Sequence, residues 1–337
     1  MTEDKTYQKL FDEFSKLNVM IIGDVMVDAY LWGKVERISP EAPVPIVAVE
    51  KREERLGGAA NVALNVKALG ARPILCSVIG EDSKGDVFLQ LLEEEGLTAE
   101  GICRSKHRIT TTKFRVLGNQ TQMLRVDEEI TSDLNTKDTT SLLERIYHII
   151  DQGNIDIVVF QDYDKGGITR KVIAKVIAYA NEKSIPVAVD PKRKNFQKYK
   201  NVTLFKPNLK ELQEGLKTEV NHKDIKELNQ AVLRLQDNQN IQHALVTLSE
   251  DGLYISSRTL NQRIIHSIPA HVRSIADVSG AGDTVISVAA LCLASQCSPM
   301  EIATISNLAG GLVCEEVGVV PINKAKLLAE VVQMEFP

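Results

Sequence analysis

The residues Asp-Val-Ser-Gly-Ala-Gly-Asp-Thr, at positions 277–284, lead directly into a run of small apolar residues that extends to Ala294. Two glycines around one alanine, followed by apolar residues at helical spacing, predict a tight turn at the start of a helix. The first amides of such a helix have no intrahelical acceptor, and glycines let an anion approach them closely. The stretch therefore predicts a phosphate-binding turn.

Asp283 is the unexpected residue of this turn, because its carboxylate would repel a bound phosphate. The octapeptide alone leaves two interpretations open. Asp283 is either a general base for a hydroxyl that attacks a phosphoryl group, or a carboxylate that stabilises the helix start. Two familiar nucleotide motifs are absent: the chain has no Gly-x4-Gly-Lys-Ser/Thr, and Val285 replaces the third glycine of a dinucleotide fingerprint.

Composition and charge exclude several classes of protein. The chain has 337 residues, of which 44% are hydrophobic and 25% charged, as is typical of soluble globular proteins. A net charge of −5 argues against nucleic-acid and membrane-surface partners. The N-terminus has no apolar signal segment, and the five cysteines have no metal-binding spacing. We therefore expect a cytoplasmic protein with neither nucleic-acid nor membrane partners.

Short apolar strands alternate with helical stretches along most of the chain. The first strand ends near Gly23, and further strands are predicted at 73–79, 155–160, 187–190, 202–206 and 244–248. This alternation predicts an α/β fold with a doubly wound, mostly parallel sheet flanked by helices. Because no linker-like composition interrupts it, we expect residues 1–337 to form one domain.

Asp24 and Asp28 follow the first predicted strand, where ligands bind in parallel sheets. They either form turns and helix caps or accept hydrogen bonds from sugar hydroxyls. Two segments, at about 33–50 and 106–127, predict a small separate β-sheet, since the first is rich in proline and the second has a hairpin pattern. Lys113 and Arg115 in the hairpin lie either on a solvated face or against an anionic sugar phosphate.

The octapeptide and the segment Leu-Gly-Gly-Ala-Ala-Asn at 56–61 resemble the two signatures of ribokinase-like (PfkB-type) sugar kinases. The resemblance implies that Asp283 is the catalytic base and that the amides of Gly280, Ala281 and Gly282 form the anion hole. It also implies a β-sheet lid that covers the sugar and joins a homodimer. The lid hinge and sugar ligands implied by it are Gly57, Gly58, Asn61 and Asp28.

The same resemblance implies ATP and Mg²⁺ as cofactors, with K⁺ as a further cation. Asn208 and Glu211 match the Asn-x-x-Glu motif that holds Mg²⁺ through water, although this pattern alone more often forms a helix capping box. The residues implied for the nucleotide are Thr247, Gly252 and Asn307, with Ser249 in place of a family glycine. Those implied for a monovalent cation are Asp277 and Ser279.

The likeness is strongest to the heptose 7-phosphate kinase branch of the family, through residues 23–28, 37–45, 55–63, 162–166 and 190–192. It implies phosphorylation of the anomeric hydroxyl of D-glycero-D-manno-heptose 7-phosphate, in the synthesis of ADP-heptose for lipopolysaccharide. The substrate-binding residues expected from it are Asp24, Asp190, Lys113, Arg115 and Lys192.

Bifunctional members of that branch carry a nucleotidyltransferase domain with a His-x-Gly-His motif, which this sequence lacks. We therefore expect a stand-alone kinase. Two alternatives stay open: a kinase for ribose, fructose or fructose 6-phosphate, and a regulator that binds nucleotide or sugar phosphate without catalysis.

Overall fold

A computed structural model describes residues 3–334 except 120, 260–261 and 272. Its described residues form ten α-helices and thirteen strands in two sheets. The strands are β1 (Asn18–Gly23), β2 (Val25–Ile38), β3 (Pro45–Gly58), β4 (Arg72–Gly80), β5 (Ile102–Ser105), β6 (Thr112–Gly118), β7 (Thr121–Glu128), β8 (Ile157–Gln161), β9 (Val187–Asp190), β10 (Leu204–Phe205), β11 (His243–Thr247), β12 (Leu253–Arg258) and β13 (Arg263–Ile268). The helices are α1 (Glu3–Phe14), α2 (Ala59–Ala68), α3 (Ser83–Glu94), α4 (Thr136–Asp151), α5 (Arg170–Glu182), α6 (Leu209–Leu216), α7 (Ile225–Gln239), α8 (Ala281–Ala294), α9 (Pro299–Val313) and α10 (Lys324–Gln333).

The large sheet has nine strands in the order β13-β12-β11-β10-β9-β8-β1-β4-β5. Its strands are parallel except for β12 and β13, which are antiparallel to their neighbours. The predicted doubly wound sheet is confirmed, whereas β5, β12 and β13 were not predicted. From β1 the strand order runs through β4 to β5 in one direction, and from β8 it continues in the opposite direction. Ligands of such sheets bind at the point where the strand order reverses, which lies between β1 and β8.

Alternate residues of β1 explain why helices cover both faces of the sheet. Val19 and Ile21 belong to one buried cluster, together with residues of α1, α2 and α8 to α10. Met20 and Ile22 belong to the other, with residues of α4 to α7. A strand buried on both faces reads as a continuous apolar run, which is the pattern found in the sequence. No helix in the described part of the chain has the length and apolar character needed to cross a membrane.

The second sheet, which we call the lid, has the strand order β3-β2-β6-β7. The predicted hairpin is confirmed as β6 and β7, and Asn119 in its turn has a φ of 51°. The lid strands extend further than predicted, because β2 begins directly after Asp24 and β3 continues to Gly58. Asp28 therefore lies within a strand, paired in register with Arg55 and Lys113, and not in a turn.

Candidate active site

The predicted phosphate-binding turn forms the start of α8. Gly280 is the N-cap residue with a φ of 82°, a conformation that side chains other than glycine rarely adopt. The Ala281 amide donates to the Val278 carbonyl over 3.3 Å, whereas a helix start of this kind leaves its other first amides without intrahelical acceptors. The turn thus has the conformation of a helix start that binds anions, and the role of Gly280, Ala281 and Gly282 as the anion hole stays a prediction.

Asp283 lies in the first turn of α8, and it is 6% exposed. Asn61 Nδ2 donates to its Oδ2 over 3.2 Å. Its Oδ1 accepts from Tyr163 Oη over 2.7 Å and from Gln161 Nε2 over 3.1 Å. Three side chains from two segments remote in sequence therefore fix this carboxylate.

Burial raises the pKa of Asp283 to about 6. The hydrogen bond from Tyr163 lowers this pKa, the negative charge of Asp190 raises it, and Lys206 lowers it. At neutral pH the carboxylate is ionised, yet it is a stronger base than an ordinary aspartate. Both properties suit a general base.

Lys206 is a charged residue of this site that the sequence analysis did not select. Its ammonium is 3% exposed and lies 3.0 Å from Asp190 Oδ2. A Cβ built on Gly282 would be 3.8 Å from Lys206 Nζ, so the ammonium faces the anion hole. The sequence feature that could have identified Lys206 is a lysine at the end of a predicted buried strand, because an apolar neighbourhood rarely holds a charge without a function.

Asp190, predicted to bind substrate, lies next to this lysine and is 3% exposed. Its Oδ2 also accepts from Gln161 Nε2 over 3.3 Å. Its Oδ1 is buried and has no hydrogen-bond partner within the described residues. The structure therefore brings Asp190 to the base and the anion hole.

Asp24 lies at the end of β1, but its carboxylate is engaged by the protein. Its Oδ2 accepts from the amides of Tyr163 and Lys165 over 3.1 and 3.0 Å, and its Oδ1 accepts from the amide of Gly167 over 2.8 Å. Burial raises the pKa of Asp24, and these amides lower it. Asp24 thus fixes the loop that follows β8; its predicted role as a sugar ligand stays a prediction.

On the lid, Asp28 is 8% exposed and Arg115 Nη1 donates to its Oδ1 over 2.6 Å. The guanidinium carbons of Arg115 and Arg55 lie 5.2 and 5.1 Å from the centre of the Tyr30 ring. Lys113 pairs instead with Asp127, over 3.2 Å. Arg115, which was predicted, is therefore the cation that pairs with Asp28, whereas Arg55, the register partner of Asp28 on β3, pairs with Glu53.

A cavity of about 470 Å³ joins the lid to the catalytic centre. Its lining includes Asp28 and Arg55 from the lid and Asn61, which also contacts Asp283. Gly57 and Gly58 lie where β3 meets α2. A Cβ on Gly57 would collide with the Asp28 carboxylate, and one on Gly58 with the Asp24 carbonyl.

Asn208 and Glu211 form a capping box at the start of α6, which is the alternative that the pattern alone favoured. Glu211 Oε2 accepts from the Asn208 amide over 2.9 Å, and Glu211 Oε1 pairs with Lys192. With both carboxylate oxygens engaged, this pair fits a Mg²⁺ held through water better than one bound directly. Lys192 therefore lies beside the predicted metal site, away from the lid.

A second cavity, of about 280 Å³, lies on the other side of the anion hole. Its lining includes Gly282 together with Thr247, Gly252 and Asn307, the three residues implied for the nucleotide. The cavity is largely apolar, as a nucleobase site requires. The structure thus brings all three together at one cavity that ends at the anion hole.

Asp277, implied for a monovalent cation, accepts hydrogen bonds from two backbone amides. Its Oδ1 accepts from the amide of Ser279 over 2.9 Å, and its Oδ2 from the amide of Gly318 over 3.1 Å. These bonds lower the pKa of Asp277. Asp277 and Ser279 lie together in the loop before α8, and a cation there stays a prediction.

Residues 16–326 match the model of the pfkB family of carbohydrate kinases. The chain is 36% identical over 326 residues to the bifunctional protein HldE of Geobacter sulfurreducens, covering 97% of this chain and 65% of that protein. It is 40% identical over 316 residues to HldE of a Caulobacter species, covering 94% and 63%. The chain thus spans slightly less than two thirds of these curated relatives.

Solved structures share the fold at lower identity. The tetrameric inhibited form of phosphofructokinase-2 from Escherichia coli superposes with a TM-score of 0.75 at 18% identity, covering 94% of this chain and 99% of that one. Ribokinase of Arabidopsis thaliana, complexed with ribose and ATP, gives 0.69 at 17% identity, covering 95% and 99%. These matches bear out the predicted ribokinase-like α/β architecture.

Proposed function

This chain belongs to the pfkB family of carbohydrate kinases, and on that premise we propose that it phosphorylates D-glycero-D-manno-heptose 7-phosphate at its anomeric hydroxyl. The phosphoryl donor is ATP, and the products are the 1,7-bisphosphate and ADP. The observation that carries the proposal is the position of Asp283. Its carboxylate lies in the first turn of α8 and contacts Asn61, a residue that lines the cavity leading to the lid.

The proposed reaction uses the groups around the start of α8. Asp283 takes the proton of the anomeric hydroxyl while the hydroxyl oxygen bonds to the γ-phosphorus. The bond between that phosphorus and the bridging oxygen breaks, and ADP leaves. The amides of the anion hole and the ammonium of Lys206 stabilise the charge on the transferred group. The apolar cavity beside Gly282 supports the assignment of the ATP site to that side.

Family kinases use ATP with Mg²⁺, and we assign the metal to Asn208 and Glu211 through water. When bound, Mg²⁺ neutralises part of the phosphate charge. Lys192 beside Glu211 is well placed to contact the same phosphates. Potassium at Asp277 and Ser279 is part of the proposal because the family resemblance implies it.

The sugar phosphate is proposed from the lid. The lid and strand-end segments at 37–45, 55–63 and 162–166 resemble the heptose 7-phosphate kinase branch. The 7-phosphate needs a cation at some distance from the reacting hydroxyl. Arg115 and Arg55 meet that need, because they lie beside Asp28, the residue implied to bind the sugar.

We also propose that the lid pairs with the lid of a second copy of the chain. Large hydrophobic side chains are exposed on it, among them Ile38, Val49, Leu124 and Val126. Such a surface is typical of an interface. Leu124→Asp should convert a dimer into a monomer in sedimentation velocity, whereas Ile225→Asp, an exposed apolar residue outside the lid, should not.

The experiment that tests the function is ADP release with Mg-ATP and a panel of acceptors. The panel contains the heptose 7-phosphate, sedoheptulose 7-phosphate, ribose, fructose, fructose 6-phosphate and adenosine. Turnover of the heptose phosphate at least a hundredfold above the others is the expected result. Preference for another acceptor would refute the substrate, and ATP binding without any turnover would favour the regulator.

A further inference from the structure

The loop at 162–166, which the substrate assignment leaves without a chemical role, contacts the catalytic centre through a single side chain. Tyr163 is half-buried, and its hydroxyl donates to Asp283 Oδ1 over 2.7 Å. This is the shortest of the three hydrogen bonds that the Asp283 carboxylate accepts from side chains in the described structure. A short bond to an ionised acceptor is of the strong, charge-assisted kind.

The protein fixes the backbone that carries this tyrosine. Asp24 accepts the amides of residues 163, 165 and 167, so one buried carboxylate holds both sides of the loop. Arg108 donates to the carbonyl of Lys165, and Lys165 Nζ pairs with Glu129 Oε1 over 2.8 Å. With its backbone fixed in this way, Tyr163 loses little further freedom when it binds Asp283.

The two oxygens of Asp283 are used unequally. Among the described residues, Oδ1 accepts from both Tyr163 and Gln161, whereas Oδ2 accepts from Asn61 alone, over a longer 3.2 Å. A carboxylate oxygen has room for about two donors. Oδ2 is therefore the oxygen with capacity for an incoming hydroxyl, and Asn61 places it toward the cavity that reaches the lid.

We propose that Tyr163 is a positioning residue, whose hydroxyl holds Oδ1 of Asp283 and thereby turns Oδ2 toward the hydroxyl that is phosphorylated. This inference rests on the proposed role of Asp283 as the base. Without the tyrosine hydroxyl the carboxylate could rotate and would accept one donor fewer. A misplaced base lowers the rate of proton transfer even when it is ionised.

A second tyrosine provides a matched control. Tyr199 Oη donates to Asp162 Oδ2, also over 2.7 Å, and both residues are fully buried. Burial raises the pKa of Asp162 to about 6, the same value as for Asp283. Tyr163→Phe and Tyr199→Phe therefore each remove one hydrogen bond to a buried aspartate with a raised pKa, but only Tyr163→Phe removes a bond to the proposed base.

The primary test measures the pKa of Asp283 directly in the ligand-free protein. Aspartate carboxyl carbons are labelled with ¹³C and titrated by NMR, and Asp283→Asn assigns the resonance. Tyr163→Phe should raise the pKa of Asp283 by about one to two pH units, since a hydrogen bond to a charged group is lost. Tyr199→Phe should leave it unchanged. The other charges that face Asp283, on Asp190, Lys206 and Lys192, are the same in both variants.

Kinetics provide the second readout. In Tyr163→Phe the acid limb of kcat/KM should move to higher pH by the same one to two pH units, and kcat above the limb should fall about tenfold. The KM for ATP should change less than twofold. A merely structural tyrosine would lower the thermal midpoint without moving the limb, which is the result expected for Tyr199→Phe.

The outcomes separate this inference from the proposed function. An unchanged Asp283 titration in Tyr163→Phe, or an equal shift in Tyr199→Phe, would overturn the inference. Absence of heptose phosphate turnover in the unmodified protein would refute the substrate but not the titration result. If Tyr163→Phe fails to fold, 3-fluorotyrosine is incorporated into Tyr199→Phe instead, because fluorination makes the Tyr163 hydroxyl a stronger hydrogen-bond donor. The pKa of Asp283 should then fall. An unchanged pKa would refute the inference.

Discussion

Asp283 accepts three hydrogen bonds from side chains of the protein, whereas all eight residues of the lid strand β7 are exposed. The first region is buried between two layers of helix and sheet, and its charges are fixed before any ligand arrives. The lid is a separate four-stranded sheet, and under the proposed function its side chains would gain partners when substrate or a second copy covers them. The proposed function therefore assigns the reaction chemistry to the core and recognition of the sugar to the lid.

Replacement of the proposed base should have the largest effect, and it tests whether the reaction depends on the buried core. Asp283→Asn should lower kcat by 10²- to 10⁴-fold, because the variant cannot accept the hydroxyl proton. The Kd for ATP should change less than threefold, as measured by calorimetry. Turnover within tenfold of the unmodified protein would show that Asp283 is not the base.

Lys206→Met should reduce kcat by about 10²-fold, since a preorganised charge beside the anion hole is lost. The affinity for ATP should fall about tenfold more than that for ADP, because only ATP carries the γ-phosphate. The double variant Asp190→Asn/Lys206→Met avoids an unpaired buried charge and should stay slow.

Lys198→Met is the control, because Lys198 is a half-buried lysine that bonds Asn195 away from the anion hole. It should keep normal rates and nucleotide affinities. Equal losses of ATP and ADP affinity in Lys206→Met would contradict the proposed contact with the γ-phosphate.

The buried position of Asp283 should also reduce stability. Its folded-state pKa of about 6 lies above the ordinary value of 3.8. A raised pKa contributes stability that is fully present below about pH 4 and is lost as the pH rises through 6. Asp283→Asn should therefore be more stable than the unmodified protein at pH 8, by about 1 to 3 kcal/mol, with little difference at pH 4.

Urea unfolding at the two pH values measures this difference. Asp86→Asn, at a side chain that is 67% exposed, should show no such dependence on pH. Equal stability of Asp283→Asn and the unmodified protein at pH 8 would mean that the carboxylate is not destabilised by burial.

The smallest expected effect concerns the lid. Arg115→Met should raise the KM for the sugar phosphate about tenfold, because a charge-assisted hydrogen bond is lost from a half-exposed site. The KM for ATP and kcat should change less than threefold. Arg234→Met alters an exposed arginine on α7, outside the lid, and should have no effect. An unchanged KM in Arg115→Met would assign the phosphate to other residues.

Residues close together in sequence could be interpreted without a structure. The Gly-Ala-Gly turn, the capping box at Asn208 and the hairpin of β6 and β7 each depend on spacing within one segment. The apolar strands predicted the parallel sheet, since β1 alternates between two buried clusters. A turn stayed open as one interpretation of Asp28 because the sequence does not show that β3 and β6 pair on both sides of it.

The fold class and the helix start at Gly280 could be predicted from the chain, because both follow from local periodicity. The octapeptide left Asp283 as either a base or a helix-start carboxylate, and the family resemblance favoured the base. Only the tertiary structure decided which groups hold that base. Asn61 lies 222 residues from Asp283 along the chain, and Tyr163 lies 120 residues from it. Their contacts depend on strand order, which places the ends of β1 and β8 beside the start of α8, and residue spacing carries no record of that order.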